Sequence, residues 1–156
     1  LNHFKNSHPD IYESHARKYA GREALMEEIV PILGCKWNDV IHLSPLDPSF
    51  IGESMKALGS PWKKKFVYIK IPVEEIEASQ TVVYLNREGG VSMKDHEFLE
   101  FRPADYRELE GVPSETLEYY RKCIEAERPP LLFYKVPHIL TRSPIDICGY
   151  EPCECL

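Results

Sequence analysis

Thirteen prolines distributed through 156 residues, against only eight glycines, set the strongest limit on what this chain can fold into. Proline donates no backbone hydrogen bond and fixes its own φ, so it interrupts helix interiors and central strands. Pro31, Pro48, Pro61, Pro72, Pro103, Pro113, Pro129, Pro130 and Pro137 fall at or near the boundaries of apolar-patterned segments. They punctuate the chain and form neither a linker nor a recognition tract. The elements between them must be short.

Between these breaks the apolar pattern alternates between helical and strand periods. Leu1–Phe4 reads as a short opening strand, and Asp10–Tyr19 as a polar helix. Leu25, Met26, Ile29, Ile32 and Leu33 share one face of a predicted helix over 22–33, stopped by Pro31 and Gly34. Val40–Leu43 reads as a buried strand. Asp47 and Pro48 then supply an N-cap and a first helical residue for a helix with Ile51, Met55 and Leu58 inside.

Phe66–Ile71 is the strongest strand by β-branched and aromatic content. Val73–Ala78 predicts a helical turn and Thr81–Leu85 a further strand. A turn at Asn86–Gly90, a short strand in Glu97–Arg102 and a helical turn in Pro103–Leu109 follow. Ser114–Glu127 carries Leu117, Tyr120 and Ile124 on one helical stripe and ends against Pro129-Pro130. Leu131–Val136 and Ile145–Cys148 read as the last strands.

There is no internal repeat or compositional break. The expectation is one α+β domain over 1–150 with a cysteine-containing tail at 151–156. It has a curved mixed or antiparallel sheet and helices packed outside, mostly from the first half. No glycine-rich strand-to-helix turn supports a doubly wound dinucleotide fold.

A formal charge of −6 disfavours non-specific attraction to phosphate backbones or anionic membranes. Trp62-Lys63-Lys64-Lys65 is a local exception, read either as a phosphate contact or as charged flanks ahead of a hydrophobic strand. No stretch reaches the ~20 apolar residues of a membrane helix. Leu1-Asn2-His3-Phe4-Lys5 has no charged-then-apolar leader pattern, so the expected address is the cytoplasm.

Cys148, Cys153 and Cys155 crowd the C-terminal end, but their spacing matches no common zinc knuckle even with His138 added. No metal site is assigned. The expected state is a reduced, partly frayed tail.

Phosphate-loop, nucleophile-elbow, zinc-protease and EF-hand motifs are all absent. The remaining candidates for chemistry are single residues. His42 stands on a predicted strand, on the Val40 face and opposite Ile41 and Leu43, and His138 stands at a strand end. Glu127 closes the last helix just ahead of a core segment. Nine tyrosines offer flat apolar area with a polar tip, suited to stacking on a nucleobase or to packing the rim of a core.

The order of segments resembles a known family. Leu1-Asn2-His3-Phe4 precedes two helices, and Asp39-Val40-Ile41-His42-Leu43-Ser44-Pro45-Leu46-Asp47-Pro48 runs from strand to helix. Phe66-Val67-Tyr68-Ile69-Lys70-Ile71-Pro72-Val73-Glu74-Glu75-Ile76 runs from strand to a short acidic turn. Glu127 stands before Leu131-Leu132-Phe133-Tyr134. This order resembles the small ADP-ribosyltransferase-like domains, particularly the DarT-like toxins that modify DNA bases, and short group-specific proteins of bacilli.

The resemblance implies a bacterial enzyme using NAD, or an inactive relative. His3 would grip the nicotinamide ribose and Glu127 would steady the oxocarbenium-like centre, with His42 as a third catalytic candidate. Tyr84 and Ser44 would be cofactor-binding positions. Nucleic acid would then enter only as a modified substrate. The alternative from the residues themselves is a non-enzymatic domain that binds a protein partner or a small molecule, through its aromatic rim and the Trp62–Phe66 segment.

Overall fold

The computed structural model describes residues 4–62 and 65–155. Along the chain, α1 (Phe4–Ser7) and α2 (Pro9–Ala16) lead into a short hairpin of β1 (Ile29–Val30) and β2 (Cys35–Lys36). Then come β3 (Ile41–Leu43), α3 (Pro48–Ala57), β4 (Phe66–Tyr68), β5 (Thr81–Tyr84) and β6 (Phe98–Glu100). The chain closes with α4 (Ser114–Glu125), β7 (His138–Thr141) and β8 (Cys153–Cys155). Single 3₁₀ turns fill many of the gaps between prolines, as at Val73–Glu75 and Pro103–Asp105. Among the described residues, no helix is long and apolar enough to cross a membrane.

The central sheet has the order β3-β7-β5-β6 and is antiparallel throughout, so of the two expected sheet types the antiparallel one is present. The α+β class and the single domain hold. β5 and β7 lie in the middle, where both faces are covered, and their residues are almost all buried. His42↔Leu140, Val82↔Leu140, Tyr84↔His138 and Tyr84↔Phe98 are directly paired. Period-two alternation therefore puts His42, Leu140, His138, Val82, Tyr84 and Phe98 on one face.

That face packs under Val30, Leu33, Trp37 and Val40. The opposite face carries Leu43, Ile139 and Val83 against Ile71, Val73, Ile76, Phe101 and Tyr106. A third cluster joins α3 to α4 through Leu46, Ile51, Met55, Tyr120 and Val136.

Several expected elements are corrected. The helix over 22–33 is instead a 3₁₀ turn at Glu23–Glu27 followed by the β1–β2 hairpin. Pro31 has no N–H to give, Ile32 adopts φ 70°, and Gly34 N–H donates to Val30 O at 3.0 Å. The turn swings Ile32 into solvent and leaves Val30 and Leu33 inside.

The strand expected over 131–136 is a run of turns between Pro130 and Pro137. Tyr134 N–H donates to Leu131 O at 3.1 Å, Lys135 sits at φ 55°, and the strand starts only at His138. Residues 145–148 form no strand, because Cys148 N–H donates to the Asp146 carboxylate instead.

β3 is exposed, not buried, because it is an edge strand, whereas its neighbour Val40 is in the core. The 66–71 strand shrinks to Phe66–Tyr68 and pairs outside the main sheet. Its partner is β8, so part of the segment expected as a frayed tail is hydrogen-bonded structure. Leu1–His3 of the expected opening strand lie outside the described residues, and its last residue, Phe4, begins α1. Lys63 and Lys64 of the basic cluster lie outside the described residues, and Lys65 pairs with Glu154 across β4 and β8.

Candidate functional site

β3 leaves the sheet at Ser44, and the next four residues build one end of a cavity of ≈ 460 Å³. Ser44 Oγ accepts from Leu46 N–H at 3.1 Å, which turns the chain so that Asp47 can cap α3. Leu46 forms a parallel bridge with Leu109, and Leu109 N–H donates to Pro45 O at 2.9 Å; this anchors the Tyr106–Glu108 segment on the rim. β4 and the extended Ile69–Ile71 segment form the facing wall, and Leu43, Ile139, Val73 and Ile76 close the space from the sheet side. The volume falls within the roughly 300–1,000 Å³ of small-molecule pockets, and the wall is mainly apolar.

The polar groups gather around Asp47. Its Oδ1 accepts from Ser49 N–H at 2.9 Å, from Ser49 Oγ at 2.8 Å and from the Tyr68 hydroxyl at 3.0 Å. Lys70 Nζ donates to Oδ2 at 2.8 Å. Burial works against ionisation, but the Lys70 ammonium and the bonds from Ser49 and Tyr68 outweigh it and hold the carboxyl well below the ordinary carboxylate range. The same contact raises the pKa of Lys70, so the pair is charged over the whole physiological range. On the other rim, burial and the neighbouring Glu108 carboxylate push the Tyr106 phenol up, so it stays a neutral donor. Lys70 remains two-thirds exposed, with N–H groups left to donate into the mouth.

Ser44 and His42 both border this cavity, but the His42 imidazole turns to the other face of the sheet. There its Nε2–H donates to Trp37 O at 3.3 Å, and its ring meets Trp37 edge-on at 4.7 Å between centroids. A carbonyl can only accept, so Nε2 carries the proton and Nδ1 is the basic atom. His42 keeps solvent access at the sheet edge, yet protein crowds it closely enough that desolvation lowers its pKa.

His138 lies 6.3 Å away between ring centroids and stacks on Tyr84 at 6.0 Å. Burial first, and repulsion from His42 second, push its pKa down to about 4. Tyr84 is only 1% exposed, so it has no free ring face to offer a nucleobase. Its hydroxyl is engaged as well, donating to Gly90 O at 2.6 Å and accepting from Ser92 N–H at 2.9 Å.

Glu127 is exposed in the left-handed turn after α4, at φ 51°, and is not part of the cavity wall. His3 lies outside the described residues. The structure thus brings together His42, His138 and Tyr84 on one face of the sheet, and Ser44 with the cavity on the other. It does not bring Glu127 to either. Among the described residues, Cys148, Cys153 and His138 form no three-ligand group.

Sequence reasoning recognised Asp47 as a helix cap but missed its second role, because Tyr68 and Lys70 lie more than twenty residues along the chain. The alternation of Tyr68 and Lys70 on one side of an apolar segment was the available signal. No family model matches the chain, and no match was found among curated proteins or solved structures.

Proposed function

We propose that this protein is a small-molecule-binding domain whose cavity takes a compact, mainly apolar molecule with a hydrogen-bond-accepting head. The observation that carries this reading is the pairing of mainly apolar walls with one ordered polar network at the mouth. The walls come from β3, β4, β7 and the Val73–Ile76 turn. Apolar area drives entry, and a few convergent polar groups set orientation. The head would sit at Lys70, whose ammonium is aimed by Asp47, while the Tyr106 hydroxyl supplies a second donor.

A transferase-like enzyme needs Glu127 and a ribose-gripping histidine at one centre. Glu127 stands beyond α4 and off the cavity wall, so ligand binding ranks ahead of NAD chemistry.

Titration with 1-anilinonaphthalene-8-sulfonate, an apolar body carrying an anionic acceptor, tests the reading. One saturable site is expected, weakened at least about tenfold by Val67→Trp, which adds bulk to the cavity wall, and by Lys70→Met, which removes the head's partner. Both positions are exposed, so both variants should fold. Absence of saturable binding, or binding that ignores Val67→Trp, would sink the proposal.

A further inference from the structure

The loop joining β5 to β6 carries a second group of chemically competent side chains, none of which lines the cavity. Glu88, His96 and Glu97 each present one ligating atom, and these atoms all lie within 4.8 Å of one another. Glu97 is the unusual member, because its carboxylate is only 1% exposed. Its Oε2 accepts one bond, from Arg87 N–H at 2.9 Å. Its Oε1 faces His96 Nε2 at 3.8 Å, beyond hydrogen-bond length. A carboxylate this far withdrawn from water is costly unless donors or a cation compensate it, and beside Arg87 N–H the group that faces this one is the His96 imidazole. The Lys94 ammonium on the same loop is engaged by the exposed Glu88, at 2.7 Å.

From this buried carboxylate, grouped with an imidazole and a second carboxylate whose ligating atoms lie within 4.8 Å of one another, we infer that Glu88, His96 and Glu97 form a binding site for a first-row divalent cation of the zinc class. One imidazole and two carboxylates suit a borderline ion; soft ions select thiolates, and calcium takes six to eight oxygens. Around an ion with bonds of about 2.0–2.2 Å, neighbouring ligand atoms sit roughly 3–4 Å apart. Glu97 is fixed by packing and by Arg87 N–H, so closing the set requires only that the exposed Glu88 and His96 side chains draw in. Three protein ligands leave the remaining positions to water. Binding would pin the 85–97 connection to the end of the central sheet, and Lys94 would be displaced from Glu88.

The test is calorimetric titration of the full chain with Zn²⁺ alone, with Cys148, Cys153 and Cys155 replaced by serine so that no tail thiolate competes. One equivalent should bind with a Kd of about a micromolar or tighter and raise the thermal midpoint. Glu88→Gln and His96→Ala, both at exposed positions, should each weaken binding at least about tenfold without lowering the metal-free midpoint. Lys94→Met should strengthen binding, because it removes the ammonium that competes for Glu88. Failure of the wild-type loop to bind one equivalent, or unchanged affinity in Glu88→Gln and His96→Ala, overturns the site. Since none of these residues borders the cavity, neither outcome bears on ligand binding there.

Discussion

Gly89 shows how a single residue can matter through what it lacks. It sits at φ 73° in the loop after β5, and an added Cβ would overlap the Tyr134 ring. Tyr134 cannot easily retreat, because it stacks on Tyr119 with 3.9 Å between ring centroids. Gly89→Ala should therefore cost about 2–4 kcal/mol, combining backbone strain with overpacking, measurable by urea unfolding. A similar change at Gly59, which meets nothing within 4 Å, should cost only the smaller φ penalty. Asn86 is equally local in sequence and distant in effect. From φ 53° its Nδ2 donates to Phe133 O at 3.0 Å and to Val136 O at 3.1 Å, satisfying carbonyls in the turn run that precedes β7. Asn and Gly were legible as turn residues from composition. Their partners more than forty residues away were not, since no local pattern encodes a contact of that separation.

Among the elements, α3 was the most legible, because its start is written in adjacent residues. Asp47 at the cap and Pro48 at the first turn fix where the helix begins, and Ile51 and Met55 fix which side is buried. Asp47→Ala should destabilise by about 2 kcal/mol, at the upper end for an N-cap, because the Tyr68 and Lys70 contacts go with the cap bond. Asp47→Asn should recover part of that loss, since an amide still caps but no longer pairs with an ammonium, and a thermal-melt series of both variants checks the order. Two of the misread elements share one cause. Residues 25–33 and 131–136 have apolar patterns that fit a helix or a strand, yet in each a residue at positive φ within two positions of a proline lies in a turn. Periodicity reports which residues want burial, and it cannot tell whether a helix or a folded-back turn delivers them there.

At the scale of the molecule, the burial of His138 beside His42, their rings edge-on at 6.3 Å between centroids, makes stability depend on pH. His138 is held neutral in the fold down to about pH 4, whereas the unfolded chain takes up its proton near 6.5. Between those values the unfolded state binds more protons, so stability is full above about 6.5 and declines as pH falls toward 4. The loss is on the order of 2–3 kcal/mol, to which the lowered pKa of His42 adds in the same direction. Thermal midpoints measured from pH 7 to 4.5 should fall, and His138→Phe, which keeps the ring against Tyr84, should flatten that slope; an unchanged slope would show that other groups carry it. By itself the sequence determined the α+β class, the short elements, the capped third helix and the absence of the standard catalytic motifs, because spacing, capping and proline chemistry are local properties of the chain. Only the tertiary structure decided which candidates meet. It turned His42 away from the cavity it borders, buried Tyr84, left Glu127 outside, and brought Asp47 to Lys70 and Glu88 to the His96-Glu97 pair, because strand register and burial are set by the whole packed chain.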